Sequence, residues 1–195
     1  MVPIHSRSFP LRWQASLWEP DVADNGMVCH AICAALLSKI HEQMERTDHL
    51  IGLLPEDALE WTPPATGAWP AGMVLGHLLD CLAGFCAVLQ AADPGRLSKF
   101  SLLRELPVNH LCGKDEARIR IADYRRRIDE GFALLQDADL SRPLPTVFAS
   151  QGEPIITLFL GNLEHLINHK HQLFTYLNLM GVAVRSQDLY QFRGA

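Results

Sequence analysis

The chain has 195 residues, 48 % of them hydrophobic and 20 % charged, with a formal net charge of −5. That length suits one domain with a sizeable core, and the composition is that of an ordinary globular protein. The acidic balance argues against nucleic-acid binding, and no uninterrupted apolar run is long enough to suggest a membrane span.

The densest basic cluster, Arg125, Arg126 and Arg127, sits among Asp123, Asp129 and Glu130 and reads as a solvated helix face. The start, MVPIHSRSFPLRWQ, lacks an apolar stretch of signal-peptide length, so a cytoplasmic location is expected. Five cysteines (Cys29, Cys33, Cys81, Cys86 and Cys112) form no CxxC pair, which argues for reduced thiols.

Residues 1–23 mix Pro3, Pro10 and Pro20 with Trp13 and Trp18 and read as an irregular arm. A first helix is expected from Asp24 to Leu54, with Ile32, Leu36, Leu37, Ile40, Met44, Ile51 and Leu54 inward. Pro55 stops it, because proline cannot continue the hydrogen-bond ladder. A connection rich in proline and glycine follows, with Trp61 and Trp69 expected to cap one end of the core.

The second helix is expected over 71–92, buried through Leu75, Leu78, Leu82, Phe85, Cys86 and Leu89 and stopped by Asp93-Pro94-Gly95. The third should begin after Gly113 and end near Leu135, with Ile119, Ile121, Tyr124, Ile128, Phe132 and Leu135 inward. Two short β-prone runs flank Gln151-Gly152, the pattern of a small hairpin. The last helix should cover 155–180, capped by Gly181, before a tail over 184–195. Four long amphipathic helices with little strand signal define an all-α fold, a four-helix bundle over 24–183 in a single domain.

Nine histidines raise the question of ligands. His165 and His169 stand four apart, which stacks them on one helical face, close enough to share a cation. A helical wheel places both on the flank of the apolar side and turns His171 to the opposite, polar flank. Leu166 stands where a zincin would carry its catalytic glutamate. His77 lies on the flank of its own helix's apolar stripe. Three neutral imidazoles leave coordination positions open, as catalytic metal sites require. A competing row, His41, Glu45 and His49, repeats at i, i+4 and i+8, and Cys29, His30 and Cys33 form another cluster. An exposed, charge-paired face and buried cysteine packing are the simpler accounts of these two.

HLIGLLPEDALEWTPP, GAWPAGMVLGHLLD and LEHLINHKHQLFTYLNLMGV together resemble the DinB/YfiT-like superfamily of metal-dependent helical bundles. In the last stretch His165, His169, Gln172, Tyr176, Leu177, Leu179 and Gly181 stand at the matching positions. Asn168 and Lys170-His171 replace a histidine and an Arg-Gly that many members carry.

The resemblance implies a DinB-type bundle with one divalent ion, zinc or nickel, held by His77, His165 and His169. It implies a metal-dependent hydrolase or thiol S-transferase acting on a small molecule, with a low-molecular-weight thiol among the candidate partners, and it allows a homodimer. Asp80, three residues after His77, is a candidate to hold that ring, and Tyr176 a candidate substrate contact. Cys81 is close enough in sequence to approach the site, although packing is its simpler role. The alternative is a non-catalytic binding or dimerisation module whose metal is structural or absent.

Overall fold

The computed structural model describes residues 30–146 and 150–190. Four long helices dominate: α1 (Ala31–Leu53), α2 (Ala71–Ala92), α3 (Lys114–Phe132) and α4 (Ile155–Leu179). A short α5 (Ser186–Tyr190) follows, and 3-10 turns occupy Ser98–Glu105 and Asp137–Ser141. The four-helix bundle is as expected. α2 packs on α3 and α4, and α1 packs on the same two, so α1 and α2 sit at opposite corners.

The helix ends have local causes. Asp24, the expected start of α1, lies outside the described residues, as do Trp13, Trp18 and Cys29. In the described structure, α1 begins where Asp137 accepts hydrogen bonds from the N–H groups of Ile32 (3.0 Å) and Cys33 (2.9 Å). Those donors have no partner within the helix, and a distant carboxylate supplies one. The expected hairpin shrinks to an antiparallel pairing of β1 (Pro143–Leu144) with β2 (Glu153–Pro154). α3 ends at Phe132 rather than Leu135, though Leu135 is still buried.

Two expected core positions are corrected. Ile119 is 71 % exposed and Ile32 is 49 % exposed. At 100° per residue, Ile119 lies nearly opposite the buried stripe of Ala117, Ile121, Tyr124, Ile128 and Phe132. Its side chain is apolar, but its helical phase is wrong for the core.

α2 is apolar enough over its length to pass for a membrane span, yet it is the most enclosed helix of the bundle. Val74, Leu75, Leu78, Leu79, Leu82 and Phe85 are all buried. Phe159 of α4 stacks with Phe132 at 5.0 Å and with Phe85 at 6.3 Å between ring centroids. Such pairs contribute about 0.5–1.5 kcal/mol beyond their area burial.

α5 packs against α1. Leu189 is buried, and its carbonyl accepts from the buried Lys170 ammonium, which also donates to Gln43 Oε1 at 2.8 Å. His49 Nε2 lies 3.0 Å from Asp188 Oδ1. The hydrogen bond with His49, then the backbone N–H of Arg185, holds the Asp188 carboxyl below its usual range. A depressed carboxylate adds stability above its unfolded pKa of about 3.9 and loses it as pH falls through the lower folded value. Amide exchange over 186–190 should therefore accelerate below about pH 4, and Asp188→Asn should abolish that acid step. An identical acid profile in the variant would show that α5 is held by other contacts.

Candidate metal centre

The sequence puts two glycines, Gly72 and Gly76, four apart on α2, and they make a notch. A Cβ on Gly76 would lie 2.1 Å from the backbone carbonyl oxygen of His110, and one on Gly72 would lie 3.1 Å from the Leu111 side chain. The loop over 107–112 lies in that notch, fastened where Cys112 N–H donates to the Gly72 carbonyl at 3.0 Å. This path carries Asn109 to His77. Asn109 adopts φ +46°, a left-handed conformation that asparagine tolerates better than most residues.

His77 Nδ1 donates to Asn109 Oδ1 at 2.6 Å, and Asn109 N–H donates to Asp80 Oδ2 at 2.7 Å. Asp80 itself is 3.9 Å from His77 Nδ1. The expected pairing of Asp80 with His77 is thus corrected to an indirect one, because the asparagine intervenes. On α4, His169 Nδ1 donates to Gln172 Oε1 at 2.8 Å, and Gln172 Nε2 donates to the Tyr176 hydroxyl at 3.3 Å. Protons fixed on both Nδ1 atoms leave the Nε2 lone pairs of His77 and His169 free to bind.

The three rings form a triangle, with centroids 4.3 Å apart for His77–His169, 4.9 Å for His77–His165 and 4.8 Å for His165–His169. His77 Nε2 and His165 Nε2 stand 3.0 Å apart, a separation that requires a proton or a cation between them. Burial, then the like charges that His169 and His77 would carry, pushes the His165 pKa down. Burial and His77 do the same to His169, opposed by Gln172. Both rings are therefore held toward the neutral form that a metal needs. The donor atoms that come within 4.8 Å of one another belong to His77, Cys81 and His165, and His169 joins the group through its ring contacts.

Other candidates divide cleanly. Cys81 Sγ is within 4.8 Å of a donor nitrogen on both His77 and His165, although the thiol is buried and its pKa pushed up to about 12, first by burial and then by Asp80. His171 is exposed and stacks on Phe174, away from the triangle. The competing row does not converge: His41 pairs with Asp129, Glu45 with Arg125 and His49 with Asp188. His110, Cys112 and Glu116 form a second donor cluster. The Arg120 guanidinium stands 3.3 Å from Glu116 and 3.5 Å from His110, so a cation is already there.

Tyr176 is 5 % exposed, its hydroxyl engaged by Gln172 and its ring edge-on to Trp61 at 5.5 Å. Sequence reasoning missed Asn109, which no pattern connects to His77. It also assigned Trp69 to core capping only. Trp69 is 36 % exposed, meets the His77 ring edge-on at 5.1 Å and lies nearly parallel to His169 at 6.4 Å. A Gly-x-x-x-Gly ahead of the histidine was the one available hint of a close backbone crossing.

Fold and site together define a helical-bundle protein with a candidate metal centre between its second and fourth long helices. The chain belongs to the DinB superfamily, whose family model matches residues 39–173. A solved structure of a DinB-like protein, YjoA from Bacillus subtilis, shares the fold at 19 % identity, with a TM-score of 0.58. The match covers 75 % of this chain and 92 % of that one. No curated protein matches this sequence.

Proposed function

We propose that this protein is a metal-dependent enzyme that holds one divalent ion, zinc or nickel, on His77, His165 and His169. The reaction is hydrolysis or thiol S-transfer on a small molecule. The observation that supports this reading best is the pair of tied-back imidazoles. Asn109 and Gln172 each take an Nδ1 proton, which leaves the Nε2 atoms of His77 and His169 as the basic ones, and His77 Nε2 lies 3.0 Å from His165 Nε2.

A bound ion would lower the pKa of a water or thiol toward neutrality and so supply the nucleophile. The chain's own residues do the rest. Asp80 fixes Asn109, Asn109 fixes the His77 ring, and Tyr176 with Gln172 fixes His169. His165 is the exposed member, so a small molecule approaches from its side, where Trp69 offers an aromatic wall.

Cys81 supports a second reading. As a fourth protein donor it would close the shell and make the ion structural, in a binding module that does not catalyse. Cobalt loading of the tag-free chain separates the two. The enzyme reading expects no sulfur-to-metal absorption band, and metal retention in Cys81→Ala. A band that disappears in Cys81→Ala establishes the closed shell. The loaded protein, screened with a low-molecular-weight thiol plus an electrophile and then with simple amides and esters, should turn over one of them until a chelator is added. Turnover unaffected by metal removal would overturn the assignment.

A further inference from the structure

The loop seated in the Gly72–Gly76 notch carries more than Asn109 to the histidines. Its neighbours in the chain are apolar and face outward: Val108 is 69 % exposed and Leu111 45 %. The notch fixes both beside the triangle. Leu111 packs where a Cβ on Gly72 would stand, and Val108 directly precedes the asparagine that holds His77. On α2 itself, Met73 is half-buried one turn before His77 and shares its face. Just ahead of α2, Trp69 meets the His77 ring edge-on and lies nearly parallel to His169. Trp69, Met73, Val108 and Leu111 thus border the triangle along α2. Apolar side chains left in water around a few convergent polar groups are what a small-molecule site presents.

Fixed positive charge is missing from this surround. Beyond burial, the groups that bear on the His165 pKa are His169, His77 and Asp80, and none is a lysine or arginine. Lys170 follows His169 in the chain, but its ammonium is buried against Gln43 and the Leu189 carbonyl. Arg120, next to His110 of the loop, is engaged by Glu116 and the Tyr124 hydroxyl. A carboxylate brought in beside Trp69 would lose water and gain no partner, a cost that an uncharged group does not carry.

Given the three-histidine metal centre, on which this rests, we propose that the site takes substrates whose group beside the reacting atom is an uncharged aromatic ring. That ring lies on Trp69, with Met73, Val108 and Leu111 around it. Substrates with a carboxylate at that place are turned away.

Hydroxamates test this, because their two oxygens chelate a metal whatever group they carry. The zinc-loaded, tag-free full chain is titrated by calorimetry with acetohydroxamate, benzohydroxamate and 4-carboxybenzohydroxamate. Benzohydroxamate should bind at least about tenfold more tightly than acetohydroxamate, and about tenfold more tightly than the carboxylated probe. In Trp69→Ala the first ratio should fall to within about threefold, and Trp69→Phe should keep most of it. A ratio of two probes on one protein cancels any change in metal occupancy. Val108 is solvent-facing, so Val108→Lys should fold as the parent does. It should bring the carboxylated probe to within about threefold of benzohydroxamate, because the new ammonium can pair with it. Equal affinities for the three probes, a benzohydroxamate preference that survives Trp69→Ala, or a carboxylate penalty unmoved by Val108→Lys would each overturn the proposal. A chain that loads no zinc, or a loaded chain that binds none of the probes, would instead remove the metal centre, and the substrate preference with it.

Discussion

Changing His165 or His169 to alanine is expected to lower divalent-metal affinity by at least about a hundredfold, the upper range for losing even an outer partner of a ligand. The two sit one turn apart on α4 with their rings 4.8 Å apart, and in the proposed site each supplies one of three donors. His77→Ala should behave alike, because its Nε2 is 3.0 Å from that of His165. Asn109→Ala should be milder, about 10–100-fold, since the ring survives but can rotate. Titration of the tag-free apoprotein with zinc and nickel, read by calorimetry, measures all four. Full affinity in any of the three histidine variants removes that residue from the site. An Asn109→Ala loss equal to that of His77→Ala would mean the loop binds the ion itself. His41→Ala and His49→Ala serve as controls and should leave affinity unchanged, because those rings pair with Asp129 and Asp188.

Gly76→Ala is expected to destabilise the protein by about 2–3 kcal/mol, with a fall in melting temperature of about 4–12 °C. The added methyl would stand 2.1 Å from the His110 carbonyl oxygen, a backbone atom that cannot swing aside. Relief requires moving the loop off α2, and with it Asn109, so metal affinity should fall together with stability. Gly161→Ala is the matched control on α4: nothing lies within 4 Å of its Cβ. A helical glycine replaced without a clash should gain about 0.5–1 kcal/mol. Thermal melts of both variants, followed by zinc titration, check the pair. If Gly76→Ala melts like the parent, the notch is not what seats the loop.

Both predictions join features of unequal visibility. The histidine pair on α4 was legible because helical periodicity is local: four residues apart means one face, and the same wheel turned His171 outward. His77 needed the family resemblance, since nothing local says which face of α2 meets α4. Asn109 was not legible at all. It lies 32 residues from His77, on a loop whose path depends on a notch in another helix. Ile119 shows the opposite failure. Its hydrophobicity suggested the core, while its phase, equally readable in the sequence, set it outside.

The sequence by itself determined the four helices, the proline or glycine stops of α1, α2 and α4, the all-α class and the i, i+4 histidine pair. These follow from backbone sterics and the 3.6-residue period, which act within a few residues of chain. The tertiary structure alone decided which rings meet, what holds their Nδ1 protons, where Cys81 lies and which charged rows neutralise one another. Those outcomes depend on contacts between segments 30 to more than 100 residues apart. No local pattern encodes them, because the packing of whole helices sets the distances.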